Sequence, residues 1–514
     1  MNIRVLSAAL VRGSRVAAVA LLTGPFSAFA QQPGNVLDVP RGYSVQKIAA
    51  GLNYPTTVAW DDSGRMYVLE AGAAGLETPE IDPARILRVE EGRTVEVVRF
   101  SPEQVGEPVV GLAWHDGSFY ITHRHPRDRT GTVSRVSMQG TVTHVITGIA
   151  DSQSEHFLND IRKGPDGRIY FASGPAGNSS VMGLDNAPFI KKSPGVKGIP
   201  CRDYVLTGRN FITPDFRTDD PSDTVMTGAF VPFGTPTSPG QRIPGQTKCG
   251  GSILSFNPAS PESSLSVYAH GFRQLIGIAW DSAGQMFGAE NGLDIRGSRP
   301  VKDDVDVTFR IVQNTWYGHP DFSRGLEPLT DPKFMPPSSH GAPRVRGDEF
   351  LGKKLGFLVD HAASGLSAPP KSLIAARHEW NSSPALLDFA PSSWGEMAGQ
   401  LFVAEWGDLA PATNPLKEGK SGSIISRVDT KSGLAVPFLR NMKPGPAAEQ
   451  QAPGRGLEHP FSVRFGPDGA MYIVDYGIMR INPAKDGAPY EFPQNTGAIW
   501  KVTQGTFLNR LIRR

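Results

Sequence analysis

A short strand–turn–strand pattern recurs six times along this chain, and it constrains the fold more than any single residue does. Each copy has an apolar strand, a turn built on Gly and usually Asp, and a second apolar strand with an aromatic residue. The copies lie at 57–72, 110–124, 159–174, 276–292, 385–407 and 462–477. Because a repeated two-strand unit cannot bury its own faces, neighbouring copies must pack on each other. The pattern therefore predicts a repeat architecture that forms one domain.

Further strand pairs follow several of these copies and complete the units. Short β-branched runs with turn residues between them occur at 85–92 and 94–100, 132–140 and 141–149, 251–258 and 264–272, and 422–429 and 434–440. Such runs are typical of antiparallel meanders. Four strands in each of six units predict an all-β fold, a six-bladed β-propeller.

The two ends of the chain are predicted to close the ring. Residues 497–503 resemble the third strand of a blade, and residues 43–52 resemble a fourth strand. The N-terminal strand is therefore expected to complete the last blade, with pairing between residues near Val45 and residues near Trp500. Closure of this kind removes the open edges of the ring.

Two long insertions interrupt the repeats. One runs from about 175 to 250 in blade three, and the other from about 312 to 370 in blade four. Both are expected to cover one face of the ring, either shaping a substrate site or decorating it. Cys201 and Cys249, the two cysteines of the chain, lie in the first insertion. In an exported protein they predict one disulfide worth roughly 4 kcal/mol, with two free thiols as the alternative.

Residues 1–30 read as a signal peptide that is cleaved before Gln31. A basic start formed by Arg4, Arg12 and Arg15 precedes the apolar run 16–22, and Ala-Phe-Ala at 28–30 is a cleavage signal. Residues 31–514 are then a single propeller domain, periplasmic or secreted. The apolar run is too short to span a bilayer, and no other segment is a better candidate. Losing three Arg and no acids takes the formal charge from +2 to −1, which gives no electrostatic case for nucleic acid or an anionic membrane.

A functional site is predicted at the end of the ring that carries the longer connections, because the turns within the repeats are too tight to hold one. Five polar residues end the second strands of the blades: Glu70, Arg124, Glu290, Glu405 and Asp475. The connections before the inner strands carry His156, Arg273, Gln274 and His459. All are expected to converge on one cavity, shared with a cation or basic residues that offset the repulsion between acids.

His156 is the predicted catalytic residue. It stands just before an inner strand, where a neutral imidazole can accept a proton from a substrate hydroxyl near neutral pH. The plainer interpretation of a lone loop histidine is a surface or hydrogen-bonding residue.

The residues around these positions resemble the glucose/sorbosone dehydrogenase family, the soluble quinoprotein sugar dehydrogenases, over most of 40–505. The likeness is carried by the segments 156–167, 271–280, 290–293, 108–114 and 316–320. It implies that His156 is the base and that Arg273 and Gln274 contact pyrroloquinoline quinone (PQQ). It also implies that the carbonyls of Gly292 and Leu293 hold a Ca²⁺ that binds the quinone.

The chain departs from the family pattern at several of these positions. Gln274 replaces an Asn, Asn291 a His and Leu293 a Pro, and Pro175 stands where an acid is expected. Glu405-Trp406-Gly407-Asp408 lacks an expected Lys, and His459 and Phe461 stand at two expected Arg. Either the cofactor is bound differently, with Arg124, Arg273 and His459 contributing, or it has been lost.

With the cofactor, the resemblance implies oxidation of an aldose or a sorbosone-like sugar aldehyde, the redox chemistry being the cofactor's. Electrons would pass to a separate periplasmic acceptor, since the sequence has no Cys-x-x-Cys-His haem motif. Two other functions stay open. One is a Ca²⁺-dependent lactonase using Glu70, Glu290, Glu405 and Asp475. The other is a non-catalytic propeller that binds a glycan or a protein.

Overall fold

The structure, a computed structural model, describes residues 36–74, 82–337, 344–345, 355–410, 413–482 and 490–505. The predicted signal peptide lies outside the described residues. Six antiparallel sheets form the blades of a propeller, each with four blade strands and one of them with an added fifth strand, so the predicted fold class is confirmed.

In each blade the chain forms four strands that run in order from the ring axis to the rim. From inner to outer strand, the bounds are Pro55–Trp60, Met66–Glu70, Arg85–Glu90 and Arg93–Arg99 in blade one; Leu112–His115, Ser118–Arg124, Gly131–Ser137 and Val142–Ile149 in blade two; and Leu158–Lys163, Ile169–Ser173, Ser252–Phe256 and Ser266–His270 in blade three. They are Leu275–Trp280, Met286–Glu290, Val307–Ile311 and Ile374–Arg377 in blade four; Pro384–Phe389, Leu401–Glu405, Ile424–Asp429 and Leu434–Asn441 in blade five; and Pro460–Phe465, Met471–Asp475, Gly497–Gln504 and Tyr43–Leu52 in blade six.

The N-terminal strand closes the ring as predicted. Tyr43–Leu52 pairs antiparallel with Gly497–Gln504, with Val45 opposite Val502 and Lys47 opposite Trp500. The preceding strand Leu37–Asp38 pairs with the outer strand of blade five. Strands from the start of the chain thus complete or extend the last two blades.

One apolar cluster lies between each pair of neighbouring blades. The alternation of a β-strand produces this arrangement, because successive side chains point to opposite faces. In the strand Met66–Glu70, for example, Tyr67 and Leu69 pack against blade two while Val68 packs against blade six. Four further clusters occupy the other contacts between neighbouring blades. Every blade therefore depends on both of its neighbours to bury its apolar side chains.

Ion pairs cross the centre of the ring between inner strands. Arg464 of blade six donates to Asp160 of blade three at 2.6 Å, and both side chains are buried. Arg162 of blade three lies 3.3 Å from Asp388 of blade five. These side chains fill the axis at this level, so the functional site has to lie nearer one end.

The blade-three insertion occupies the connection between Ile169–Ser173 and Ser252–Phe256. It contains the α-helix Ala187–Lys192 and the short strands Tyr204–Val205, Asn210–Pro214, Thr224–Gly228 and Arg242–Ile243. Cys201 and Cys249 form the predicted disulfide, with a sequence separation of 48 residues.

The blade-four insertion lies between the third and fourth strands of its blade, and so leaves the ring at the end with the tight turns. The sequence pattern predicts both insertions in the longer connections at the opposite end of the ring, and this prediction is wrong for the blade-four insertion. The chain returns to that opposite end along the outer strand of blade three, where Trp316 forms a parallel bridge with His270. There the two insertions pair, with Leu206 opposite Val359.

Shorter elements complete the described chain. The strand Arg344–Val345 pairs with Asn210–Pro214, and Arg480–Ile481 pairs with Tyr490–Glu491. The 3₁₀-helices are Ala150–Gln153, Leu184–Asn186, Pro332–Phe334, Lys371–Leu373, Ser392–Met397 and Ala447–Gln450. None of the helices in the described part of the chain has the length and hydropathy needed to cross a membrane.

Candidate functional site

A cavity of about 570 Å³ lies at the predicted end of the ring, and four predicted residues line it. These are His156, Arg273, Gln274 and Gly292. They come from three separate segments in blades three and four. The same cavity is also bordered by the blade-three insertion, by Asn381 and Ser383 near blade five, and by Tyr490 near blade six.

His156 is positioned by the connection that leads into the inner strand of blade three. It follows the 3₁₀-helix Ala150–Gln153 and precedes Leu158–Lys163. Gly174, at the end of the neighbouring strand, packs directly on it: a Cβ atom at position 174 would lie 2.6 Å from His156 Cβ and 2.6 Å from Gln274 Oε1. Only glycine therefore allows these two side chains to approach the strand end so closely.

Arg273 and Gln274 precede the inner strand of blade four, and a buried carboxylate fixes them. The Arg273 backbone nitrogen donates to Glu290 Oε1 at 2.5 Å, and Arg324 Nη1 donates to the same oxygen at 2.8 Å. Arg324 belongs to the blade-four insertion. The insertion thus holds the segment that carries Arg273.

The segment after Glu290 is held by backbone donors to buried acids. Gly292 donates to Asp306 at 2.6 Å, and Leu293 donates to Asp304 at 2.9 Å. The Leu293 side chain turns away from the cavity into an apolar cluster with Val301, Leu329, Phe334, Met335 and Leu355. Of the two predicted metal residues, Gly292 lines the cavity and Leu293 lies beside it.

Four charged residues that the sequence analysis did not select form a network in the cavity wall. Arg296 Nη1 lies 2.7 Å from Glu155 Oε2 and 2.8 Å from Asp185 Oδ2. Arg296 Nε lies 2.9 Å from Asp294 Oδ2, the oxygen that Arg273 Nη2 contacts at 2.6 Å. Two guanidinium groups therefore share one carboxylate oxygen, and the network extends from Arg273 to the residue next to His156.

The surroundings of His156 favour its neutral form. Burial lowers the pKa of His156 well below its ordinary value, and the positive charges of Arg273 and Arg296 lower it further. Asp294 opposes this shift. A neutral imidazole can accept a proton over the whole physiological pH range.

Five buried polar atoms of cavity residues have no hydrogen-bond partner among the described residues. They are His156 Nδ1, Asp185 Oδ1, Arg273 Nε, Gln274 Oε1 and Asn291 Oδ1. Buried polar groups in folded proteins are almost always paired. One guanidinium donor, three oxygen acceptors and the imidazole nitrogen are therefore left for a polar ligand.

The blade-three insertion forms one wall of the cavity. Its contributing residues are Leu184, Asp185, Ala187, Pro188, Phe189 and Lys191, in and before the helix Ala187–Lys192. Leu184 is 50% exposed, and it is one of the few large apolar side chains in the described chain with such exposure. The insertion therefore shapes the cavity and is more than decoration.

Arg124 lies behind this wall and not in the cavity lining. Its guanidinium donates to the carbonyl of Ser152 at 2.8 Å and to that of Ser154 at 2.6 Å. It also lies over the rings of Phe157 and Phe189 at 5.3 and 5.7 Å. Arg124 thus supports two cavity residues from behind.

His459 borders a different cavity, of about 290 Å³, between blades five and six. Its ring packs on Trp406 with centroids 4.2 Å apart, and burial lowers the pKa of His459 to about 3. Phe461, at a position where the resemblance implies an Arg, and Trp406, in the segment that lacks the expected Lys, pack against an aromatic cluster with Tyr54 and Tyr476. Aromatic side chains therefore stand in this part of the ring where the resemblance implies cations.

The expectation that the strand-end acids converge on one cavity is wrong. Each is buried and paired within or beside its own blade: Glu70 with Arg85 at 2.5 Å, Glu290 with Arg324 at 2.8 Å, Glu405 with His378 at 2.8 Å, and Asp475 with the backbone nitrogens of Glu458 and His459 at 2.8 and 2.9 Å. Across the described ranges, no group of three or more His, Cys, Asp or Glu is arranged to hold a metal ion.

Comparison with known proteins identifies solved structures with a similar fold. No protein-family model matches the sequence, and no curated protein does. A solved structure of a Trichoderma reesei member of carbohydrate-active enzymes family AA12 is similar over 92% of this chain and 98% of its own, with 14% identity and a TM-score of 0.51.

Two further solved structures are similar over most of their length. The PQQ-bound aldose sugar dehydrogenase of Streptomyces coelicolor covers 90% of this chain and 99% of its own, at 16% identity and a TM-score of 0.46. The PQQ domain of pyranose dehydrogenase from Coprinopsis cinerea covers 92% and 98%, at 15% identity and a TM-score of 0.48. At these identities the likeness concerns the propeller architecture and not the site residues.

Proposed function

We propose that this protein is an oxidoreductase that oxidises an aldose or a sorbosone-like sugar aldehyde, with PQQ and Ca²⁺ as cofactors. One observation carries the proposal: His156, Arg273, Gln274 and Gly292, chosen from three distant segments, line a single cavity. The Trichoderma reesei protein with the same fold is a carbohydrate-active enzyme, which agrees with a sugar substrate.

The donors on one side of the cavity fit a quinone that carries carboxylates. Arg273, Arg296 and Lys191 are cationic lining residues, and Gln274 offers a polar amide. Guanidinium groups bind carboxylates with paired, directional hydrogen bonds. When bound, PQQ would supply the chemistry of a two-electron acceptor.

The charge balance makes the divalent cation essential to this proposal. The three cations share the cavity with four carboxylates, those of Glu155, Asp185, Asp294 and Asp306. A ligand with several negative charges would be repelled by this lining on its own. Ca²⁺, held in part by the backbone at Gly292, would offset that repulsion.

His156 acts in this proposal as the proton acceptor. Its low pKa keeps it unprotonated, and its position at the cavity allows it to take the proton of a substrate hydroxyl. The sequence supports export to the periplasm or the medium, where a separate acceptor would take the electrons.

The deciding experiment adds PQQ to the purified full-length chain, with Ca²⁺ or with EDTA, and follows quinone absorbance and aldose-dependent dye reduction. We expect quinone uptake and dye reduction with Ca²⁺ only. Absence of uptake would overturn the proposal. Hydrolysis of a sugar lactone without quinone would favour the lactonase alternative, although no arrangement of the strand-end acids supports it.

The role of His156 is tested in the same assay. His156→Ala should abolish dye reduction and leave quinone uptake largely intact, while His115→Ala, on the inner strand of blade two, serves as the matched control. Retained turnover in His156→Ala would show that another group accepts the proton.

A further inference from the structure

Arg296 connects three segments of the cavity wall through carboxylates. Glu155 belongs to the connection before the inner strand of blade three, Asp185 to the blade-three insertion, and Asp294 to the segment after the second strand of blade four. The Arg296 side chain is 15% exposed and reaches all three acids within 2.9 Å. These contacts use two nitrogens of the planar guanidinium, Nη1 and Nε, whereas a Lys ammonium carries all its donors on a single atom and cannot reproduce this geometry.

The contact between Arg296 and Glu155 fixes a carboxylate close to His156. Glu155 Oε1 lies 4.0 Å from His156 Nε2, too far for a hydrogen bond but within the range at which a carboxylate and a protonated imidazole attract each other. Both Glu155 oxygens are held by Arg296 Nη1, at 2.8 and 2.7 Å. Released from Arg296, this carboxylate could turn towards the imidazole.

The contact between Arg296 and Asp294 restrains the side chain of Arg273. Asp294 Oδ2 accepts from Arg273 Nη2 at 2.6 Å and from Arg296 Nε at 2.9 Å. Asn178 Oδ1 gives Arg273 a second acceptor at 2.9 Å. Arg273 is therefore restrained by a carboxylate that Arg296 also restrains.

We infer that Arg296 is a positioning residue for the proposed reaction: it fixes Glu155 beside His156 and Asp294 beside Arg273, and so sets the spacing between proton acceptor and facing cation. The inference rests on the proposed function. The charged and titratable groups that face His156 are Arg273, Arg296, Asp294, Glu155 and the imidazole of His319. Arg296 touches both acids in this set, Glu155 and Asp294, so its loss changes the surroundings of His156 through two contacts as well as through its own charge.

The test measures the pKa of His156 directly by NMR on the full chain without quinone, using the imidazole resonance that disappears in His156→Ala. Arg296→Met removes a positive charge and releases Glu155, and both changes favour the protonated imidazole. We expect the pKa to rise by about one unit or more. Arg296→Lys keeps the positive charge but loses the guanidinium contacts with the three carboxylates, so a smaller rise in the His156 pKa is expected. Adding Glu155→Gln to Arg296→Lys should cancel that rise.

Arg99→Met, which breaks an exposed pair with Glu96 on blade one, is the control and should leave the His156 pKa unchanged. An unchanged pKa in folded Arg296→Lys and Arg296→Met would overturn the inference. So would a rise that persists in full after Glu155→Gln in the Lys background. The measurement needs neither quinone nor turnover, so its failure is distinguishable from failure of the proposed function.

If the enzyme is active, the pH profile gives a second readout. In Arg296→Met the acidic limb of the kcat/KM profile should move to higher pH by the same amount as the His156 pKa measured by NMR, because that limb reports the pKa of the base in the free enzyme. A loss of activity without movement of the limb would point to a merely structural role and would count against the inference.

Discussion

Arg464 and Asp160 lie 304 residues apart in the chain but meet at 2.6 Å across the centre of the ring. They belong to the inner strands of blades six and three, which face each other. Asp160 Oδ2 also accepts from the backbone nitrogen of Ile278 in blade four, at 3.1 Å. A single carboxylate thus joins three blades.

Loss of one partner of this ion pair should destabilise the protein more than replacement of both partners. Arg464→Met should lower the free energy of unfolding by about 3–5 kcal/mol, because it leaves the buried Asp160 charge unpaired. Arg464→Met combined with Asp160→Asn should recover much of that loss. Urea denaturation measures both, with Arg99→Met as an exposed control whose cost is about 1 kcal/mol or less. A double variant as unstable as the single one would contradict this account.

The ring closure can be tested by crosslinking. Ser44 and Thr503 are paired residues on the closing strands, and their hydroxyl oxygens lie 2.7 Å apart. A disulfide in Ser44→Cys/Thr503→Cys would restrain the unfolded chain strongly, so we expect stabilisation of about 2–4 kcal/mol under oxidising conditions. The thermal midpoint with and without reductant measures the effect, and Ser44→Cys alone is the control. Failure of the pair to oxidise would argue against this register.

Asp151 should make stability depend on pH. Burial raises the pKa of Asp151 to about 7, despite backbone donors from Ile199 and Ala176 at 3.1 and 3.2 Å. The native state therefore holds this proton more tightly than the unfolded chain, and the free energy of unfolding falls as pH rises from about 4 to about 7.

Asp151→Asn should remove the part of the pH dependence of the free energy of unfolding that Asp151 causes, which is at most about 1.4 kcal/mol per pH unit. Urea unfolding at pH 5, 6, 7 and 8 compares the slopes, with the exposed Glu91→Gln as control. An identical slope in wild type and Asp151→Asn would show that other groups carry the dependence.

Gly174 gives a prediction for the site. In Gly174→Ala, the new methyl group would collide with His156 and Gln274, so we expect a loss of quinone uptake and dye reduction that exceeds the loss of stability. Gly195→Ala, in the blade-three insertion that follows Gly174, is the matched control, since a Cβ there meets no atom within 4 Å. Titration with PQQ and the thermal midpoint are measured in parallel. Normal uptake by Gly174→Ala would remove these two residues from the proposed site.

The sequence predicts the ring better than the site. The blades and their closure near Val45 and Trp500 are confirmed, because strand periodicity and turn residues are local signals. The Cys201–Cys249 disulfide is confirmed as well, and it was predicted from the presence of two cysteines in an exported chain. The outer strand Ile374–Arg377 escaped prediction because it follows a long insertion.

Cavity residues depend on the paths of connections, which periodicity does not determine. Glu290 ends a strand as expected, but its carboxylate is paired with Arg324 of the blade-four insertion. The position of Arg324 depends on the path by which the insertion returns to the site, and no local sequence pattern encodes that path. Asp294 and Arg296 follow the motif Gly292-Leu293 directly, and an acid and a base so close to a predicted site were the signal available for finding them.

The path of the blade-four insertion has one more consequence. Its residues 314–317 bond the outer strand of blade three through Asn314 N to Tyr268 O at 2.7 Å, His270 N to Thr315 O at 3.1 Å and Tyr317 N to His270 O at 2.8 Å. A bare outer strand is a template on which a second molecule can add a strand and start aggregation. By covering this one with its own backbone, the chain protects the blade that carries His156 from intermolecular β-pairing.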